Sequence, residues 1–188
     1  MSEARARLLA RLRADAVQTG SFVLASGRAS EYLVDCKRVV LGAEGHRLVA
    51  ECFLEVLGEA RVDAVAGVAL GGCPLASAVS LLSGLRGLGP SGRGYDALYV
   101  RKEPKAYGAA AQIEGLGARA AAGLRVALLE DVLTTGGSSL RAVETLRAAG
   151  LTVEHVWALV DREEGAREAL RAGGVTAHSL FRRAELVG

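Results

Sequence analysis

Lysine is almost missing from this chain. Of its 23 basic residues, three are lysines (Lys37, Lys102 and Lys105) and the other 20 are arginines. Acidic residues number 21, which leaves a net charge of only +2. That balance excludes the strongly basic footprint of a nucleic-acid binder. Cysteine is sparse too. Cys36, Cys52 and Cys73 form no CxxC pair, and three cannot close a disulfide framework. A zinc site is disfavoured on the same ground, and a reducing cytosol fits. The three thiols read as small buried hydrophobes. The stretch MSEARARLLARLRADAV is charged throughout and has no apolar core of a signal peptide. Residues 64 to 85 carry no charge and are long enough to span a bilayer. Gly71-Gly72 and Pro74 interrupt that run, so a buried strand, a glycine loop and a buried helix fit better than a membrane span. Repeats and low-complexity tracts are missing. So are the dinucleotide GxGxxG and the P-loop GxxxxGK[ST] in their strand-to-helix context.

What is present suits one globular domain, residues 1–188, with 51% hydrophobic residues. Residues 4–17 read as an amphipathic helix and 31–36 as a short strand. Helical spacing over 44–58 puts Leu48, Val49, Cys52, Phe53, Val56 and Leu57 on one face. An alternation follows. Strand 63–69 leads to a helix opening at Pro74, and strand 96–100 leads to a long segment, 102–118. Strand 125–129 leads to helix 138–149, stopped by Gly150. Strand 152–160 leads to helix 163–172, stopped by Gly173-Gly174, and strand 175–181 comes last. Residues 87–94, GLGPSGRG, read as an exposed turn. This pattern predicts an α/β fold, a parallel sheet covered by helices on both faces.

Ligands of an open parallel sheet bind at the carboxyl ends of its strands. Those ends carry Leu70-Gly71-Gly72, then Arg101-Lys102-Glu103-Pro104-Lys105, then Glu130-Asp131 with Thr134 to Ser138, then Asp161-Arg162. All four groups are expected in one crevice. Thr134-Thr135-Gly136-Gly137-Ser138 lies between a strand end and a helix start. Its hydroxyls and backbone N–H groups suit a phosphate monoester. Glu130 and Asp131 suit sugar hydroxyls with Mg²⁺ nearby, which together describes a ribose 5-phosphate. Two of the three lysines, beside Arg101, form a cationic loop that Pro104 keeps from being helical, and this suggests a second, polyanionic group such as pyrophosphate. Arg162 stands where a helix start disfavours a cation, so it is a candidate for gripping a carboxylate. His46, His155 and His178 fall in none of these groups and read as structural.

Together these residues resemble the type I phosphoribosyltransferases. The stretch VALLEDVLTTGGS, 126–138, is similar to their binding motif for phosphoribosyl pyrophosphate. FVLASGRASEYLVD (22–35), VRKEPKAYG (100–108) and LVDREEG (159–165) narrow the resemblance to the orotate phosphoribosyltransferases. The resemblance implies a small N-terminal helix and hood over about residues 1–40 and an α/β core over 41–188. It implies transfer of a phosphoribosyl group to orotate with Mg²⁺ as cofactor, in UMP synthesis, by a cytoplasmic enzyme with no nucleic-acid or membrane partner.

Site residues follow by motif. Glu130, Asp131, Val132, Leu133, Thr134, Thr135, Gly136, Gly137 and Ser138 would hold the ribose phosphate, the two acids on its hydroxyls. Arg101, Lys102, Lys105 and Tyr107 would hold pyrophosphate. Lys102, Lys105 and Asp131 would be catalytic, and no residue would be a dedicated metal ligand. Thr134 and Arg162 would contact orotate, under a hood formed by Ser26 to Val34. The lysine loop would reach into the neighbouring subunit's site, which implies a homodimer. Three positions depart from the commoner bacterial pattern: Ala25 and Leu70 each stand for a lysine, and Tyr107 for a histidine. Two rivals stay open at this stage. One is a purine or uracil phosphoribosyltransferase, which would need neither Arg162 nor the Arg-Lys-x-x-Lys loop. The other is a regulator sensing phosphoribosyl pyrophosphate, which would ordinarily carry a DNA-binding module.

Overall fold

A computed structural model of the chain describes residues 1–23, 29–103, 112–116 and 123–187. Its centre is a six-stranded sheet of order β5-β4-β3-β6-β7-β8. The strands are β3 (Ala64–Val68), β4 (Asp96–Val100), β5 (Ile113–Glu114), β6 (Arg125–Leu133), β7 (Thr152–Asp161) and β8 (Thr176–Arg182). All neighbours are parallel except the short edge strand β5, which runs antiparallel to β4. A separate antiparallel hairpin, β1 (Val17–Val23) with β2 (Ala29–Val34), stands apart from this sheet.

The apolar runs explain the layering. Every residue of β3 is buried, as a strand covered on both faces must be. One face packs against α1 (Glu3–Arg11), the π-helical turn Leu12–Ala16, α3 (Ala43–Leu57) and α4 (Gly72–Leu85), around Leu8, Leu12, Phe53, Leu57 and Leu75. The other packs against α5 (Gly137–Ala148) and α6 (Ala166–Ala172), around Leu128, Val143, Leu146 and Leu170. Two short helices, α2 (Lys37–Val40) and α7 (Arg183–Val187), complete the fold. No described helix is long and apolar enough to cross a membrane.

The α/β class and the parallel sheet are as the pattern predicts. The expected helix 4–17 stops at Arg11 before a π-helical turn, the expected strand 31–36 is β2 at Ala29–Val34, and β5, α2 and α7 were not anticipated. Other details differ as well. β1 has no counterpart in the expected elements, because VQTGSFV is too polar and glycine-broken to show a buried face. β6 continues to Leu133 rather than ending at 129, so Glu130 and Asp131 are strand residues. Helix α6 starts at Ala166 rather than 163. Glu163 (φ 60°) and Gly165 (φ 96°) are left-handed, and helical hydrogen bonding cannot begin before them. Cys36 and Cys52 are buried as expected, whereas Cys73 is half-buried.

Candidate active site

The parallel register brings the carboxyl ends of β3, β4, β6 and β7 to one rim of the sheet. Side chains alternate along a strand, so the adjacent acids of β6 leave it in opposite directions. Glu130 is buried, and Ser139 Oγ, in the first turn of α5, donates to its Oε2 at 3.0 Å. Burial and the neighbouring Asp131 charge push its pKa up to about 8, against the opposing pull of Ser139 and Lys102. Asp131 points the other way, toward the turn after β2. Cys36 Sγ donates to the Asp131 carbonyl at 3.8 Å, which sets residues 35–37 against it. Burial raises the Asp131 carboxyl above its usual range, and the Lys37 ammonium pulls it back. Lys37 Nζ itself pairs with Asp35 Oδ1 at 2.7 Å. The fields of Lys102 and Lys37 each ease one of the two acids without cancelling the upward shift of either.

Three glycines let the β3–α4 loop lie flat on this rim. A Cβ on Gly71 would overlap the Asp131 carboxylate, one on Gly72 would overlap Leu129 O, and one on Gly67 would overlap Gly72 O. The Ala69–Leu70 peptide in this loop is cis, and Leu70 is exposed. Beyond β6, Thr134 and Thr135 lead to Gly136, whose φ of 83° turns the chain into α5. Arg101 and Lys102 face Ser138 across a cleft of about 250 Å³ that Arg141 also lines. The flap therefore has a described stem: Arg101 N donates to Gln112 O at 2.9 Å, and Arg101 Nη1 to Glu114 Oε1 at 2.9 Å. Lys105, Tyr107 and the hood positions 26–28 lie outside the described residues, as does Ala25.

Arg162 joins the cradle through the backbone. Its N–H donates to Leu133 O at 2.9 Å, one residue before Thr134. The side chain is buried, not on the surface. Its Nη2 meets Glu164 Oε1 at 2.8 Å, its guanidinium lies 4.9 Å from the centroid of the Tyr32 ring, and its Nε is buried without a partner. Asp161 fixes the turn: Oδ1 accepts from Glu163 N at 2.8 Å and Oδ2 from Arg167 Nε at 2.6 Å. The histidines stand elsewhere. His46 Nδ1 is 3.1 Å from Val40 O, and His155 and His178 face each other on β7 and β8 with Trp157 stacked on His178. A cleft of about 750 Å³ opens at the amino ends of β3, β4 and β6 among Asp63, Arg93 and Asp96, at the opposite end of these strands from the rim.

No family model matches the chain. Curated and solved proteins do. An orotate phosphoribosyltransferase of Sorangium cellulosum is 52% identical over 184 residues, covering 97% of this chain and 93% of that protein. The Mycobacterium tuberculosis orotate phosphoribosyltransferase, in complex with Fe(III) dicitrate, superposes with a TM-score of 0.82 at 35% identity, over 98% of this chain and 99% of that one. The same enzyme in complex with phosphoribosyl pyrophosphate gives 0.76 at 33% identity, over 97% and 98%. The chain belongs to the orotate phosphoribosyltransferases. Glu130, Asp131, the Thr134–Ser138 turn, Lys102 and Arg162 all stand at or just beyond the carboxyl ends of strands on one side of its sheet. Two nearby residues carried no motif signal: Lys37 was visible only as the third rare lysine, and Arg141 as one arginine among twenty. Tyr32 was expected only as one member of the hood, without a role of its own.

Proposed function

We propose that this chain transfers the 5-phosphoribosyl group from phosphoribosyl pyrophosphate to orotate, giving orotidine 5′-phosphate and pyrophosphate in UMP synthesis. The observation that carries the reading is the Arg162 N–H bond to Leu133 O. It ties a buried guanidinium with an unpartnered Nε to the start of the turn that leads into α5. In the proposed site Val132 and Leu133 set the turn. Thr134, Thr135, Gly136, Gly137 and Ser138 hold the 5′-phosphate at the α5 N-terminus. Glu130 and Asp131 accept the ribose hydroxyls. Arg101, Lys102, Lys105 and Tyr107 take the pyrophosphate. Arg162, with Thr134, takes orotate beneath the β1–β2 hood.

Displacing pyrophosphate builds oxocarbenium character at the anomeric carbon and negative charge on the leaving group. The residues' work is to align the two reactants and to stabilise that charge. Lys102 and Lys105 neutralise it, and Asp131 holds the sugar as it flattens. Closure of the lysine loop keeps water from the activated sugar.

The donor set fits Mg²⁺ that arrives with the substrate. Among the described residues no cluster of three His, Cys, Asp or Glu could cage a metal. Mg²⁺ commonly binds through one or two carboxylates plus substrate phosphates and waters, and Glu130 and Asp131 supply two. When bound it would neutralise phosphate charge. The proposal includes a single domain over 1–188, a cytoplasmic location and a homodimer whose lysine loops serve the partner site. The test offers the pure protein phosphoribosyl pyrophosphate and Mg²⁺ with orotate, uracil, hypoxanthine or adenine. Only orotate should give nucleotide efficiently, and chelation should stop it. Turnover of a purine without orotate would overturn the reading.

A further inference from the structure

We propose that Tyr32 is a positioning residue for base selection, holding the Arg162 guanidinium at the tilt that orotate's carboxylate requires. The inference rests on Arg162 being the orotate residue. Among the described residues Arg162 has one side-chain ion pair, Nη2 to Glu164 Oε1 at 2.8 Å. A single contact of that kind leaves a planar fork free to swing about it. Two-point recognition of a carboxylate needs the fork's plane fixed. The Tyr32 ring supplies the second constraint, with the Arg162 Cζ 4.9 Å from its centroid. That is within the range of a cation–π contact, and such contacts strengthen where the cation is desolvated, as the buried Arg162 is. The partnerless Nε is the edge left for a ligand. Tyr32 also carries Arg183, with Cζ at 5.3 Å, which adds positive charge beside the same ring.

The ring comes from the hood hairpin and packs against the edge of the core. Tyr32 sits in β2 opposite Thr19 of β1, and the hairpin is anchored where Asp35 N donates to Ala16 O at 2.9 Å. Hood and base-binding arginine are thus mechanically joined, and the hood's seating becomes part of base selectivity.

The test is a double-mutant cycle read as KM for each substrate. Tyr32→Leu should raise KM for orotate roughly 3- to 30-fold, the range of a desolvated cation–π contact, while KM for phosphoribosyl pyrophosphate stays within about 2-fold. Tyr32→Phe keeps the ring and should stay near wild type. In an Arg162→Ala background, Tyr32→Leu should add nothing, because a residue that acts through another is silent without it. Tyr32→Gln carries the same expectations should Tyr32→Leu fail to fold. An unchanged KM for orotate, equal loss in Tyr32→Phe, or full additivity with Arg162→Ala would overturn the proposal. Failure of the functional reading looks different: wild type itself would not turn over orotate.

Discussion

Glu130 is the residue at which folding and function conflict most directly. Its carboxyl sits buried beside Asp131 with a pKa raised from 4.5 to about 8. Between those values the folded chain keeps a proton that the unfolded chain has lost. Stability of the free protein therefore falls as pH rises from about 4.5 to about 8. Asp131 is shifted in the same direction and adds to the slope. Thermal melts between pH 5 and 8 should show Tm declining. Glu130→Gln should flatten that decline and melt higher than wild type at pH 8, while losing activity about 10- to 100-fold, as expected for a lost hydrogen bond to a charged group. A slope unchanged by Glu130→Gln would assign the titration to another group. Lys37 works on the other acid. Without its ammonium, the Asp131 carboxyl should climb further above its usual range. Lys37→Ala should then move the acid limb of kcat/KM for phosphoribosyl pyrophosphate to higher pH, and Lys37→Arg should restore it. A pH profile identical to wild type in Lys37→Ala would show that the two groups do not couple.

At the level of elements, the β3–α4 loop decides how close the rim can come to a ligand. Gly71 is the tightest point, because any Cβ there overlaps the Asp131 carboxylate. Gly71→Ala should displace that carboxylate rather than the loop, which is held by the Ala69 N–H bond to Val100 O at 2.8 Å. A displacement of this size typically costs about 100-fold in rate, whereas overpacking costs only about 1–3 kcal/mol of stability. Steady-state kinetics beside a melt would separate the two. A melt that collapses while the specific activity of the folded fraction holds would reverse the argument. The sequence made this loop visible as Gly71-Gly72 but gave no reason for the pair. The reason lies across the sheet in Leu129 and Asp131, 57 or more residues away in the chain. The same limit explains the other differences. Strand β6 hides its last turns of pleat because Glu130 and Asp131 read as polar, although Glu130 is buried. The start of α6 depends on a left-handed Glu163, which Asp161 stabilises through Oδ1 and which no propensity forecasts. Strands β3, β4, β7 and β8 were legible because their apolar runs end in charged or glycine residues. The hairpin β1–β2 was only half legible, since β1 draws its order from β2 rather than from its own pattern.

For the whole molecule, the question is whether one chain can complete its own site. The stem of the cationic flap, β4 with β5, lies at the sheet edge, next to β3 and two strands from β6. That edge position of the stem is compatible with service to its own rim or to that of a neighbour. The homodimer reading chooses the neighbour, and mixing two defective variants tests it. Lys105→Ala keeps a sound Asp131, and Asp131→Ala keeps a sound Lys105. Each should be nearly inactive alone, because each homodimer lacks one of the two groups at both sites. If the loop acts in trans, every mixed dimer pairs the sound Asp131 of one subunit with the sound Lys105 of the other, giving one intact site. Random exchange of equal amounts makes half of the dimers mixed, so activity should recover to about a quarter of wild type. If the loop acts in cis, neither subunit of the mixed dimer holds both groups, and nothing is regained however complete the exchange. Subunit exchange is followed independently by native mass spectrometry of differently tagged chains, so an inactive mixture with verified mixed dimers would assign each lysine loop to its own chain.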